Sequence, residues 1–338
     1  MRNLSIEYLR VLFMALIVLL HLMQFGYDES YIFESTSTGS YSQIVLMMLG
    51  KLGVPGFIFI TGYYGVKLSS KRLATLWVQT SFYAILSTLL LLFFFNNPIS
   101  KGVVFSFLPL AGGYWFVEDY IILMLFSPLL NEGLKRIPKR RLQFIVVALI
   151  VVIYGILWSK GRNSAMSLLL FFSIYVVGRY CALYPNKLLH RHKFSILALS
   201  MIVLIFIPVV VHYIGKNHLI MKYIITYYNI FTLLAIVSTF IILDGVKRLG
   251  GGNILTKNVL AVYLLHCSPF GQKVLNEYVA PNVPFSVWSS FMIVAVVLIV
   301  SVIIDEMRKV VCKPVEVWLT LLFDRLYTSD NIENISHK

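Results

Sequence analysis

Long apolar runs alternate with short polar segments along nearly the whole chain. Crossing a hydrocarbon core of roughly 30 Å takes about 20 apolar residues in a helix. Runs of suitable length fall near 6–25, 44–66, 74–95, 115–131, 143–158, 165–182, 194–213, 222–243, 256–273 and 286–304. The pattern predicts an all-α, polytopic integral membrane bundle of about ten transmembrane helices. The runs at 115–131, 143–158 and 165–182 are short enough to be tilted, broken or partly buried in protein. The first run is interrupted by His21 and Gln24, lacks a small-residue cleavage site and is followed by further runs, so it reads as a retained helix rather than a signal-peptide core. After Lys313 the pattern changes: Val315, Trp318, Leu319, Leu322 and Leu326 recur at helical spacing while Glu316, Thr320 and Asp324 occupy the other face. That is the signature of an interfacial amphipathic helix. The expected organisation is a ten-helix domain over 1–312 and a cytoplasmic helix and polar tail over 313–338, with no internal repeat.

Composition agrees. Of 338 residues 59% are hydrophobic and 13% charged, against about 25% charged in a soluble domain. The net charge of +14 comes from short basic clusters between apolar runs, which excludes nucleic acid as a partner and points to cytoplasmic loops. With the N-terminus inside, 21 of the 29 Lys and Arg face the cytoplasm and 6 the outside, while Arg10 and Lys51 fall within spans. This bias predicts both termini inside and an even helix count. Cys181, Cys267 and Cys312 lie far apart in or beside apolar runs, so the sequence offers neither a disulfide framework nor a metal-ligand spacing, and no metal is expected.

An ionisable residue within a span costs at least about 2.5–3.5 kcal/mol at the helix centre and usually faces a cavity or a partner. The first helix carries three: Glu7, Arg10 and His21. Arg10 and His21 are eleven residues apart, close to three turns, which places them on one face roughly 16 Å apart along the axis, with Glu7 on nearly the same stripe. Two readings stay open for each. Glu7 and Arg10 at i, i+3 can simply neutralise one another, and His21 can be bonded to a neighbouring helix or act chemically. The segment Val54-Pro55-Gly56 through Thr61-Gly62-Tyr63 permits close helix approach or a cavity lining. Lys71 and Arg72 are either a basic anchor or a docking point for an anion near a helix N-terminus. Trp115, Glu118 and Asp119, on the predicted outer side, suit an interfacial belt or a sugar platform. His266, near mid-membrane in the ninth run, needs a partner.

These pieces together resemble the membrane-bound acyltransferase-3 family, which O-acylates bacterial surface polysaccharides and related acceptors. The matching parts are Ile6-Glu7-Tyr8-Leu9-Arg10 with His21 ten intervening residues on, Val54 through Tyr63, Trp115-Phe116 leading to Ser127-Pro128-Leu129-Leu130-Asn131, and Tyr263-Leu264-Leu265-His266. They occur in the family's order over about the first 270 residues. Thr61 stands where Ser is common, and Thr75 where some members carry a second Arg after the position of Arg72.

The resemblance implies a multi-pass enzyme of the bacterial plasma membrane with no permanently bound cofactor. It would use acyl-CoA, usually acetyl-CoA, to acylate a hydroxyl of a glycan or lipid-linked sugar. Arg10 and His21 map onto the family's essential pair. A base near neutrality must take the hydroxyl proton as it attacks the thioester, and His21 is the candidate, with Arg10 and Glu7 completing the catalytic face. Arg10, Lys71, Arg72 and Tyr63 are the donor-binding candidates, and Trp115, Glu118, Asp119 and His266 the acceptor-binding ones. The rival class is a sugar or anion transporter or flippase in which Arg10, His21 and His266 bind solute or relay protons.

Overall fold

The structure is a computed structural model of the 338-residue chain. It describes residues 2–27, 32, 38–96, 113–157, 164–215, 227, 229–246, 249–250 and 254–333. The loop cations Lys101, Lys160, Arg162, Lys216, Lys222, Lys247, Arg248 and Lys338 lie outside the described residues, as does the start of the run at 222–243. The described chain is helical apart from one short antiparallel pairing of β1 (Arg2–Asn3) with β2 (Leu249–Gly250).

Helix α1 (Leu4–His21) is the axis of the bundle. Its start is fixed by sequence chemistry: the Asn3 side chain accepts from the Ser5 amide, donates to Asp244 at 3.2 Å, and the Ser5 hydroxyl donates to the Val246 carbonyl at 2.7 Å. After His21 the helix loosens into a π-helical turn, Leu22–Gly26. Against α1 lie α2 (Thr38–Gly50) and α3 (Gly53–Tyr64), separated by a break at Lys51–Leu52. The small residues expected in this region make the seam. A Cβ at Gly53 would sit 2.4 Å from Ile17 Cγ1 and 2.7 Å from the Phe13 carbonyl oxygen, and one at Gly56 would enter the Phe13 ring. Lys51 is buried at the break, its ammonium 4.6 Å from the centre of the Tyr227 ring. Such a contact offsets part of the desolvation of a buried cation.

The next helices are α4 (Ser70–Phe95), α5 (Trp115–Arg136), α6 (Lys139–Ile150), α7 (Ser164–Leu183), α8 (Lys187–Tyr213) and α9 (Ile230–Asp244). Helices α3 and α7 cross at backbone contact, because Gly62 faces the Tyr175 carbonyl and Gly178 the Phe59 carbonyl. The run at 256–273 does not form one helix. It is cut into α10 (Ile254–Lys257), α11 (Val259–His266) and α12 (Pro269–Val274), where the Ser268 hydroxyl accepts from the Gly271 amide and starts a new helix with Pro269 in its first turn. A helix broken in the middle of an apolar run is tolerated where protein surrounds it. Helix α13 (Val287–Val311) follows, and α14 (Lys313–Glu333) folds back along α4. The amphipathic segment predicted after Lys313 is therefore helical, with Val315, Trp318 and Leu326 exposed.

Among the described residues five helices are long and apolar enough to cross a membrane: Leu4–Gly26, Gly39–Tyr64, Ser70–Phe95, Lys187–Tyr213 and Val287–Val311. Ser167–Leu183 and Ile230–Asp244 are apolar but shorter. Five of the ten expected runs, those beginning near 6, 44, 74, 194 and 286, are spans of that length among the described residues. The run at 256–273 is broken, and α5 carries Glu118, Asp119, Glu132 and Pro128 within its length. Helices α8 and α13 present apolar rows outward, Trp288, Met292, Val296, Ile299 and Ile303 on the latter. A row of that kind suits contact with lipid tails.

Candidate active site

The broken ninth run and the end of α1 meet in one buried cluster. His21 Nδ1 lies 3.0 Å from His266 Nε2, and Cys267 Sγ lies 3.1 Å from the former and 3.4 Å from the latter. All three residues are buried. The partner that His266 requires is therefore the other candidate imidazole, supplied from a position 245 residues away in sequence.

The hydrogen positions follow from one contact. His266 Nδ1 faces the Val262 carbonyl one turn back in α11. A carbonyl only accepts, so His266 carries its hydrogen on Nδ1 and a lone pair on Nε2. Across the 3.0 Å contact His21 Nδ1 is then the donor, which leaves the lone pair of a neutral His21 on Nε2. The bonds of the break hold the arrangement. The Cys267 amide donates to the Tyr263 carbonyl, Gln272 Nε2 donates to the Cys267 carbonyl at 3.0 Å, and a Cβ at Gly271 would meet the Leu265 carbonyl oxygen at 2.4 Å. Phe25, half-exposed, lies over His21 with ring centres 5.3 Å apart.

The other polar end of the stripe is different. Arg10 donates to Glu7 at 3.2 Å, with side-chain exposures of 31% and 8%. The Tyr64 phenol lies within electrostatic range of both, and the Tyr120 phenol within that of Arg10 and Arg72. Between Arg10 and His21 on the same face stand Met14 and Ile17, both buried. The stripe is closed by packed side chains in this state, not an open crevice.

Tyr64 also lines a cavity of about 970 Å³ at the end of the bundle where Arg10 sits. Lys67, Lys135 and Arg179 line it as cations and Glu132 and Asp324 as carboxylates, with Lys135 paired to Glu132 at 2.7 Å; Ser69, Ser70, Asn131 and the tail residue Phe323 complete the wall. Asn131 is a hub of the wall, donating to the Val66 carbonyl at 2.8 Å and accepting from the Tyr175 hydroxyl at 2.7 Å. Arg179 donates to the Tyr63 carbonyl at 3.1 Å, while the Tyr63 ring packs on Phe240. Lys71 and Arg72 stay exposed on the first turn of α4, Arg72 donating to the Lys67 carbonyl at 3.0 Å.

Of the acceptor candidates, Trp115 packs among Phe116, Phe171 and Tyr227. Asp119 is buried beside it on α5 and bonded to Ser167. They connect to the imidazoles through rings: Phe116 to Tyr263 at 5.2 Å and Tyr263 to His266 at 6.1 Å. Sequence reasoning did not single out Cys267, Lys67, Lys135, Arg179 or Asn131 as site residues. The Ser268-Pro269 start signal is the feature that marks the break beside Cys267.

The described residues thus form a largely helical, apolar bundle with a buried imidazole pair at a helix break and a cavity of mixed charge lined by Tyr64. A family model described as an acyltransferase domain matches residues 3–305, so the chain belongs to the acyltransferase-3 family. Neither a curated protein nor a solved structure matches the chain. Membership makes the protein a membrane acyltransferase and does not favour the transporter reading.

Proposed function

We propose that the protein moves an acyl group, acetyl in the simplest case, from cytoplasmic acyl-CoA to a hydroxyl of a glycan or lipid-linked sugar. It would do so as a multi-pass protein of the bacterial cell membrane with both ends inside. The observation that carries this reading is the relay Val262 carbonyl, His266, His21, which fixes an acceptor lone pair on His21 Nε2. As the acceptor oxygen attacks the thioester carbonyl, its proton passes to His21 Nε2. The tetrahedral intermediate collapses with loss of CoA thiolate, which takes that proton back. His266 Nε2 accepts from His21 Nδ1 throughout and stabilises the transient imidazolium, a positioning role.

The cavity supports the donor side. CoA is a polyanion; the cavity wall supplies Lys67, Arg179 and Lys135, the last paired with Glu132, and its Tyr64 lies within electrostatic range of Arg10. Tyr64, common to the cavity and to the surroundings of Arg10, links the two. The acyl-bearing arm must then pass Met14 and Ile17, so transfer includes their displacement. Lys71 and Arg72 would serve the entrance, and Trp115, Glu118, Asp119 and the aromatic path to His266 the acceptor.

In membrane vesicles given radiolabelled acetyl-CoA and candidate glycans, label should appear on the acceptor as an ester. His21→Ala should lower the rate by about 10²–10⁴-fold, the usual worth of a positioned general base. Labelling by a normally inserted His21→Ala protein at the unsubstituted rate would refute the base assignment.

A further inference from the structure

Three buried side chains whose ligating atoms converge are more than a hydrogen-bonded pair with a neighbour. His21 Nδ1, His266 Nε2 and Cys267 Sγ all lie within 4.8 Å of one another, and their separations are 3.0, 3.1 and 3.4 Å. A tetrahedral zinc ion with Zn–N of about 2.05 Å and Zn–S of about 2.3 Å needs its ligands about 3.3 Å apart for two nitrogens and about 3.6 Å for nitrogen and sulfur. The observed triangle is short of that by only a few tenths of an ångström on each edge, a difference that side-chain rotation supplies. His266 is already oriented as metal-bound imidazoles are, with its remote Nδ1–H on a backbone carbonyl and its lone pair turned inward. The backbone of residues 266–268 is fixed by the Cys267 and Ser268 amides and by Gln272, so two of the three ligands come from a rigid break.

We propose that His21, His266 and Cys267 form a binding site for a borderline-soft divalent cation of the zinc class. Two imidazoles and a thiolate exclude magnesium and calcium, which take oxygen ligands. Three protein ligands leave the fourth tetrahedral position to water. Binding releases one proton per ion: the Cys267 thiol loses its hydrogen, and the His21 hydrogen moves from Nδ1 to Nε2 by exchange with solvent. Entry is beside Phe25, the half-exposed ring that covers His21. One consequence rests on the acyl-transfer reading. With the ion on Nδ1, His21 Nε2 bears a hydrogen and has no lone pair for the acceptor hydroxyl, so the ion and general-base catalysis exclude each other and zinc inhibits.

The test uses the purified full-length protein in detergent, titrated with Co²⁺ as a spectroscopic probe and then with Zn²⁺. One Co²⁺ per chain should bind, with a near-ultraviolet thiolate-to-metal charge-transfer band that Zn²⁺ bleaches. The band should persist when Cys181→Ser and Cys312→Ser are combined, because Cys267 is then the sole thiol. His266→Ala should weaken binding by more than the roughly tenfold to hundredfold lost with a group that merely orients a ligand. Absence of a thiolate band in the unsubstituted protein, or its loss in the Cys181→Ser/Cys312→Ser protein, overturns the site. These readouts need no turnover, so they stand apart from the acyl-transfer assay. If the ion binds and labelling of the acceptor continues undiminished at saturating Zn²⁺, the site stands and the base assignment of His21 falls.

Discussion

Two acid–arginine pairs with the same i, i+3 spacing sit on two of the apolar helices, Glu7–Arg10 on α1 and Asp305–Arg308 on α13. In the first the contact is 3.2 Å and the arginine side chain is 31% exposed. In the second it is 2.6 Å, with exposures of 2% for Arg308 and 1% for Asp305. Asp305 also accepts from Gln79 at 3.0 Å and from the Tyr83 hydroxyl at 3.4 Å, both on α4, and Arg308 reaches Glu316 on α14. The α13 pair is thus surrounded by partners from two further helices. The α1 pair keeps an arginine edge near Tyr64 and the cavity. Identical local spacing gives a lock between helices in one place and an arginine with donors to spare in the other.

The sharpest way to break that contrast is to remove one member of the lock. Arg308→Met leaves a buried carboxylate with Gln79, Tyr83 and a Lys309 ammonium at 3.8 Å for company. Removing one partner from a buried pair costs about 3–5 kcal/mol. The lower end is expected here, read as a drop in thermal midpoint of the detergent-solubilised protein. Asp305→Leu combined with Arg308→Met should lose less than Arg308→Met alone, since the fully buried carboxylate is gone, although Glu316 loses its partner and Gln79 and Tyr83 their acceptor. A single Arg308→Met protein as stable as the unsubstituted one would show that the pair is not a lock.

This lock also marks the limit of what the sequence discloses. The helical class follows from the apolar runs, the family from the likeness of four motif segments in order, and the stripe of Glu7, Arg10 and His21 from spacing on a single helix, where 3.6 residues per turn turns sequence into geometry. For the segment Val54–Tyr63 the sequence leaves close helix approach and a cavity lining both open, and the contacts at Gly53, Gly56 and Gly62 decide for close approach. Tertiary pairing is not legible. Nothing local says that His266 meets His21 across 245 positions, that Cys267 joins them, or that Arg179 turns inward to the cavity wall rather than anchoring a loop. Asp305 and Arg308 lie just past the last apolar run, where only Arg308 bears on the sequence reading, as one of the cytoplasmic cations. Their burial depends on α14 folding back over them, a packing event beyond the reach of periodicity.

Arg10 should behave differently from Arg308. Arg10→Ala leaves the Glu7 carboxylate, 8% exposed, without its guanidinium, so the stability loss read from the thermal midpoint should exceed the roughly 0–1 kcal/mol of a surface pair and stay below the roughly 3–5 kcal/mol of a fully buried one. Its effect on the donor is separate: a hydrogen bond from a charged group to an anion is worth about 1.5–3 kcal/mol. With the partial exposure of Arg10 the low end applies, a rise of roughly tenfold in KM for acetyl-CoA with kcat changed much less. Initial rates of vesicle labelling against acetyl-CoA concentration check this. Unchanged KM would remove Arg10 from the donor path and leave the cavity cations Lys67, Lys135 and Arg179 to bear it alone.

Glu7→Gln is the mildest of the set and separates the two meanings of the α1 pair. The amide oxygen still accepts from the Arg10 guanidinium, so the side chain keeps its orientation while the charge disappears. Arg10, 31% exposed, can hydrate its charge when the Glu7 charge is removed, so the loss should be about 1 kcal/mol or less and smaller in salt. KM for acetyl-CoA should rise no more than two- or threefold, a factor worth about 0.6 kcal/mol. It should fall instead if Glu7 opposes the anionic donor more than it orients Arg10. A stability loss approaching that of Arg308→Met would mean that the α1 pair is a second lock, and Arg10 would then have no donors left for CoA.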